Sequence, residues 1–408
     1  MRVSTAQFYF QNSLQLSNKQ TDVNDQIEYI ASGKRVLTAK DDAVAFGTLV
    51  GYKDELAAIE KYQRNITQAE NRNSLVDTSF ANAERLLQDI KQKFIQANNG
   101  TLSDADLESL GALIQDGQEQ LLDIANIKDE TGGYIFAGFA IDVQPFSLQP
   151  DNTVNYNGDS GERELQIAKN ILVGTNIPGD KAFEDVPNVI GDFSPVYNTN
   201  NSGISVTSAK ITSPGLYDDS VGPPPAYQPD FQFNFGPTAQ DLNVTDADGD
   251  VLYTTAAYVP GQIVPLANGV EVQISGNPLP GDSFDITPEE DISVFQTLKE
   301  AIDWVNTGNN PANPLQHEVD YGEILEQIDA ALNHMTSQRT EAGTRLSLIE
   351  NQDNNHQDTV LYLEQGRSNI EDLDFAKAIA EFEQSQVALQ AAQQTFVQVK
   401  DLSLFNYI

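Results

Sequence analysis

The sequence predicts an α+β protein: a long antiparallel, coiled-coil-like helical rod made from both chain ends, with an all-β insert domain in the middle. Three observations carry that expectation. Apolar residues recur at three- and four-residue steps near both ends of the 408-residue chain. Proline, glycine and short alternating runs crowd the middle. Two similar helix-breaking stretches, one running from Ile30 to Phe46 and the other from Ile370 to Ala376, stand near opposite ends. The expected division is terminal helices at 1–31 and 376–408, a helical rod with its connector at 32–140 and 290–375, and an outward-facing β insert at 141–289.

The first helix is expected over about Thr5–Ala31. Tyr9, Leu16, Val23 and Ile30 stand seven apart with Ile27 alongside, but Ser13 and Gln20 occupy the partner positions. Such a thin seam is marginal in water until something packs on it, so disorder in the free monomer and order on assembly are expected. Ser32-Gly33 then stops the helix, because glycine accepts the positive φ of a C-terminal cap. Asp41-Asp42 offers side-chain oxygens to the free amides of the next helix.

That second helix, from about Asp42 to Ala97, carries Val76, Phe80, Ala83, Leu87, Ile90 and Phe94 in regular alternation. Asn98-Asn99-Gly100 ends it, and Ser103 with Asp106 forms a capping-box pattern for a third helix bearing Leu107, Leu110, Ile114 and Leu121. The short turn between them implies an antiparallel pair.

In the middle, Ile204–Ser208, Phe231–Phe235 and Val270–Ile274 alternate as strands, with turn pairs such as Asp248-Gly249 and Asn268-Gly269 between them. Gly222-Pro-Pro-Pro225 reads as a rigid turn. Thr287-Pro288-Glu-Glu290 resembles a capped helix start, opening a helix with Val294, Leu298, Ala301, Ile302 and Val305 inward. The last third repeats the opening: Leu325, Ile328, Leu332, Met335, Arg339, Ala342, Leu346 and Ile349 keep the alternation. After the break at Asp372–Asp374, Phe375, Phe382, Leu389 and Phe396 recur every seven. These terminal seams, with Phe405 beyond them, are the expected subunit interface. The expected connector residues are Gly33, Lys34, Arg35, Asp41, Asp42, Asp372 and Asp374, with Lys34 and Arg35 facing Asp372 and Asp374 if the two breaks lie at one level.

Composition narrows the chemistry. A formal charge of −37, from 60 acidic and 23 basic side chains, disfavours nucleic acid and anionic membrane surfaces as partners. The absence of cysteine excludes disulfides, zinc–thiolate sites and thiol nucleophiles. No apolar run approaches the ~18 residues of a membrane span, and the start of the chain lacks a secretory signal, so any exit from the cell is expected to remove nothing. His317, His334 and His356 have no ligand-like spacing. Gly33-Lys34 follows Glu28 where a phosphate loop needs glycine, and no Gly-x-Ser-x-Gly elbow occurs. Asp246-Ala-Asp-Gly-Asp250 is the best metal candidate, yet it reads better as a hairpin turn, because Val251 and Ala257 stand where a calcium loop needs glycine and glutamate. No enzyme, cofactor or metal is expected. Apolar seams at both extremities fit instead a self-assembling subunit, whose head-to-tail contacts give a ring or a helical fibre.

Several stretches resemble a known family. Met1-Arg-Val-Ser-Thr5, the connector Ile30–Val36 with Ala39–Ala43, and Gln96–Ser103 are similar to the N-terminal half of bacterial flagellins. Gly133-Tyr-Ile-Phe-Ala-Gly138, Tyr156-Asn-Gly-Asp-Ser-Gly161 and the ending from Ala388 to Ile408 resemble more closely the hook–filament junction branch of that superfamily, the flagellar hook-associated protein 3 family. Ile274–Phe284 is similar to hook-associated proteins generally, while about 180–265 matches nothing specific. The resemblance implies a structural subunit of the bacterial flagellum that is exported uncleaved through the flagellar type III channel. It also implies a cytoplasmic export chaperone on the C-terminal helix and a ring of copies between hook-associated protein 1 and flagellin. Two other readings stay open: a filament-forming flagellin, or a secreted adhesive or glycan-binding β domain on a helical stalk.

Overall fold

The computed structural model describes residues 5–198, 202–221, 230–309 and 311–401. Gly222–Pro225, Phe405 and the side chain of Tyr9 lie outside the described residues. Terminal helices flank a central β-rich region, as the sequence predicts. The helices are α1 (Thr5–Ser32), α2 (Ala43–Ala97), α3 (Asp104–Ala125), α4 (Pro214–Val221), α5 (Val294–Thr307), α6 (Pro314–Glu371) and α7 (Phe375–Asp401). Two compact units divide the chain, Met1–Asn65 with Glu350–Ile408 and Ile66–Ile349, so each boundary falls inside a long helix.

Within the unit Ile66–Ile349, the alternation read on α2 is the buried stripe: Val76, Phe80, Ala83, Leu87, Ile90 and Phe94 are fully covered. α3 starts at the anticipated capping box, in which the Asp106 amide donates to Ser103 Oγ (3.3 Å) and the Ser103 amide to Asp106 Oδ2 (3.0 Å). Ile328, Met335 and Ala342 of α6 complete this core, but Arg339 does not join it. It lies at the surface and reaches Asp77 (3.2 Å) and Glu84 (3.1 Å) of α2, because a guanidinium is costly to bury without partners.

An aromatic cluster extends the core from the helices into the loops that follow α3. Phe80 meets Phe136 edge-on at 5.7 Å, and Phe183 packs on Phe136, Phe146 and Phe295. Here the Gly133–Gly138 and Tyr156–Gly161 stretches meet. The Tyr156 hydroxyl bonds to the Phe136 and Asp159 carbonyls, and Asp159 Oδ1 accepts the Phe139 amide at 2.8 Å. Gly138 has φ 68°, and a Cβ there would stand 2.1 Å from the Asp159 carbonyl oxygen, so this junction requires glycine.

Two small hairpins, β1 (Phe146–Leu148) with β2 (Val154–Tyr156) and β3 (Glu164–Ala168) with β4 (Ile171–Gly174), precede the insert proper. The insert comprises β5 (Phe193–Tyr197), β6 (Ser205–Ile211), β7 (Phe231–Phe235), β8 (Leu242–Thr245), β9 (Val251–Thr255), β10 (Ile263–Pro265), β11 (Val270–Ser275) and β12 (Ser283–Pro288), with α4 between β6 and β7. They form a five-stranded sheet ordered β5-β12-β7-β8-β9 and a three-stranded sheet ordered β10-β11-β6, every pair antiparallel. Phe231, Phe233 and Val272, from the alternating runs, share the core between the sheets with Phe284. Asp246–Asp250 is the β8–β9 hairpin turn: Asp246 Oδ1 accepts the amides of Asp248 (3.1 Å) and Asp250 (2.8 Å).

One expected helix start is corrected. Thr287-Pro288 closes β12, where Pro288 pairs with Phe193, and α5 begins at Val294 behind the N-cap Ser293, whose Oγ accepts the Phe295 amide (3.2 Å). The alternation of Phe284 and Ile286 outweighs the local capping signal. Proline is tolerated because β7 pairs β12 only as far as Ile286.

Candidate assembly interface

The candidate site lies wholly in the unit Met1–Asn65 with Glu350–Ile408. Its frame is the connector. Gly33, at φ 70°, ends α1 with its amide on the Tyr29 carbonyl (2.9 Å). The chain then forms an antiparallel bridge between Lys34 and Asp372. The Arg35 amide donates to the Glu371 carbonyl (2.7 Å), and the Leu373 amide donates to the Gly33 carbonyl (3.0 Å). The two breaks therefore sit at one level and are stitched through their backbones. Beneath them Val36, Ala45 and Leu49 are buried against Phe46 and Ile370.

The side-chain pairing differs from expectation. Lys34 and Arg35 do not engage Asp372 and Asp374; the acceptor is Glu371. Its buried carboxylate takes Lys34 Nζ at 2.7 Å and Lys53 Nζ at 3.1 Å, while Arg367 stands 3.8 Å away. The Arg35 guanidinium donates to the Ile370 carbonyl (3.0 Å). Asp374 serves as a cap, accepting the Lys377 amide (3.2 Å) at the start of α7, and Asp372 accepts the Ser368 hydroxyl. Glu371 carries no capping or turn signal in the sequence, because it ends α6 one residue before the break. Lys53 carries no local signal at all. Asp42 caps α2 as anticipated, accepting the Val44 (3.1 Å) and Ala45 (3.0 Å) amides. Asp41 instead ties the loop down: it accepts the Leu37 and Thr38 amides and, at 2.8 Å, the Tyr29 hydroxyl. The Thr38 amide and the Tyr29 hydroxyl hold the Asp41 carboxyl below its usual range, while burial and Asp41 push Tyr29 up to about 12.

Burial alone would raise the Glu371 carboxyl, but the Lys34 and Lys53 ammonium groups outweigh it and hold it low. The sign follows. A depressed folded-state pKa adds stability above the unfolded value, and that stability is lost as pH falls through the folded one. At neutral pH, Glu371→Gln is expected to cost about 1–2 kcal/mol, since both lysines stay partly solvated. In chemical denaturation followed by helical signal, the gap to the wild type is expected to close as pH falls from about 5 towards 2. A gap that stays constant with pH would show that the charge is not what holds the connector.

From this frame α1 runs in and α7 runs out, and the two helices lie along each other, antiparallel. Val23 and Ala378 are buried between them. Leu16, Ile30, Phe382, Leu389 and Phe396 are half-buried, whereas Ile27 (48% exposed) and Phe375 (51%) are turned largely to solvent. Phe10, Leu14, Ile379, Val387 and Val397 are exposed as well. The pair thus covers part of each helix and leaves large apolar side chains of both at the surface. Among the described residues no three or more His, Cys, Asp or Glu side chains come together as a metal would require, and no helix is long and apolar enough to cross a membrane.

A fold that returns to its own first helix, with the middle of the chain as an insert, defines a flagellin-type subunit. The bacterial flagellin N-terminal helical region matches residues 3–140 and the C-terminal helical region residues 325–408, together more than half of the chain, which belongs to the flagellin family. Flagellar hook-associated protein 3 of Escherichia coli K12 is 26% identical over 408 residues, covering 100% of this chain and 99% of that one. Its namesake from Salmonella typhimurium LT2 has the same identity and coverage. The crystal structure of flagellar hook associated protein-3 from Legionella pneumophila is 28% identical and superposes with a TM-score of 0.65, over 78% of this chain and 98% of that one. The chain is a structural component of the bacterial flagellum.

Proposed function

We propose that this chain is the junction subunit that links hook to filament, and that it does so through the helices at its two ends. The observation that carries the proposal is the number of large apolar side chains that the α1–α7 pair leaves exposed. Phe10, Ile27, Phe375 and Val387 are each roughly half exposed or more, on helices of 28 and 27 residues. A monomer gains nothing by showing such side chains to water, whereas stacked copies bury them. Tyr9, Leu16, Val23, Ile27, Ile30, Phe375, Phe382, Leu389, Phe396 and Phe405 are the side chains assigned to that interface. The two helices gain their full order only when neighbours supply the missing surface. Copies associate in a ring between hook-associated protein 1 and flagellin, after uncleaved export through the flagellar type III channel with a cytoplasmic chaperone.

Labelling the protein on intact flagella tests this reading. Signal confined to one point beside the hook is the expected result. Signal along the filament, or purified protein that grows long filaments unaided, would make the chain a filament flagellin instead.

A further inference from the structure

Within the unit Ile66–Ile349, both sheets of the insert reach α6 at a single atom. Tyr197, the last residue of β5, donates its hydroxyl to Glu323 Oε1 at 2.6 Å, and Ser205, the first of β6, donates to the same oxygen at 3.0 Å. The Val206 amide donates to the Tyr197 hydroxyl (2.8 Å), so the tyrosine is held from behind. One turn along α6, Gln327 accepts the Val189 amide (3.2 Å). Glu323 thus fastens the five-stranded and the three-stranded sheets to the helix together.

The surroundings suit a neutral carboxyl better than a charged one. Glu323 opens on a cleft of about 480 Å³ whose other lining includes Glu289, Glu300, Asp303, Asp320 and His317. No lysine or arginine is among the described residues that line it. Asp320 and Glu326, on α6 itself, add further negative charge nearby. The second oxygen can carry a proton while Oε1 goes on accepting both hydroxyls, so protonation removes the buried charge without breaking the fastening.

We propose that Glu323 is a proton-operated latch: protonated, it holds the β insert firmly on α6, and ionised, it lets the insert loosen. Burial, reinforced by Asp320 and Glu326, pushes the Glu323 carboxyl up to about 7, against the pull of the Tyr197 and Ser205 hydroxyls. A carboxyl whose pKa is raised in the docked state favours docking below its undocked value and loses that contribution as pH rises to the docked one. The latch is therefore tight in mild acid and loosens towards neutrality.

The test uses the full-length protein. Amide hydrogen exchange of residues 193–198 and 202–211, corrected for intrinsic rates, is expected to accelerate at least about tenfold between about pH 5 and 8 in the wild type. Glu323→Gln, which keeps shape and acceptor but cannot ionise, is expected to exchange slowly at both ends of that range. Trp304, the chain's one tryptophan, lines the same cleft and gives a parallel fluorescence readout. Because His317 stacks on it at 4.2 Å, the exchange transition must also survive His317→Gln. Tyr197→Phe removes a donor that favours the carboxylate, so its midpoint is expected to move upward, which keeps the proposal falsifiable should Glu323→Gln fail to fold. A flat wild-type profile, a transition that persists in Glu323→Gln or vanishes in His317→Gln, or an unmoved midpoint in Tyr197→Phe overturns the latch.

Discussion

A chain cut after Gln384 is expected to stay soluble and helical yet fail to join hook to filament. The cut removes the second half of α7, with Val387, Leu389, Phe396 and Val397. It leaves the connector, where Lys34, Lys53 and Glu371 meet, and it does not touch the buried stripe of α2 or the aromatic cluster around Phe183. A fully buried Leu or Phe side chain is worth about 1.5–3 kcal/mol, so two lost at one contact weaken it by about 3–6 kcal/mol, a hundredfold or more in affinity. Repetition around a ring multiplies the deficit. Circular dichroism and sedimentation of the truncated chain, with electron microscopy of hooks to which it and flagellin are added, would measure both halves of the expectation. Filaments that still grow on such hooks would refute the role given to the terminal seam.

The reason this experiment can be framed from sequence at all is that helical periodicity is a local signal. Seven-residue spacing of Leu16, Val23 and Ile30, and of Phe375, Phe382, Leu389 and Phe396, marks a stripe before any partner is known. The stripe does not say which of its members a helix in the same chain will cover. Val23 is buried against its own molecule, while Ile27 and Phe375 are left half exposed, and only the crossing of α1 with α7 decides that. The connector shows the same limit. Ser32-Gly33 and Asp42 act through neighbours two or three residues away, so their roles were legible. Glu371 acts on Lys34 and Lys53, 337 and 318 residues away, and no spacing rule reaches so far. Arg339 kept the apolar rhythm of α6 yet lies outside the core, because a long cation at such a position can reach acids on the neighbouring helix. Thr287-Pro288 failed for the opposite reason: a correct local capping pattern was overruled by the strand beside it.

Replacing Phe80 by alanine is expected to have the largest effect on stability of any single change in the helical core, and little effect on assembly. Its ring is fully buried on α2 and touches Phe136 (5.7 Å) and Phe183 (6.2 Å), which in turn hold the loops carrying β1 and β2. Truncation to Ala at such a site costs about 3–5 kcal/mol, the transfer of the ring plus the cavity it leaves. For a cooperative unit of this size each kcal/mol lowers Tm by about 2–4 °C, so a fall of roughly 10 °C is expected by differential scanning calorimetry. Phe80→Leu fills part of the space and is expected to lose about half as much. Well below its melting point, Phe80→Ala should still join hook to filament, since none of the terminal seam is altered. Set beside the chain cut after Gln384, this gives a double dissociation: one change lowers Tm and spares assembly, the other spares Tm and abolishes assembly. If Phe80→Ala abolished assembly while still folded, binding would depend on the packing of the helical core, and the terminal helices would not be the whole of the interface.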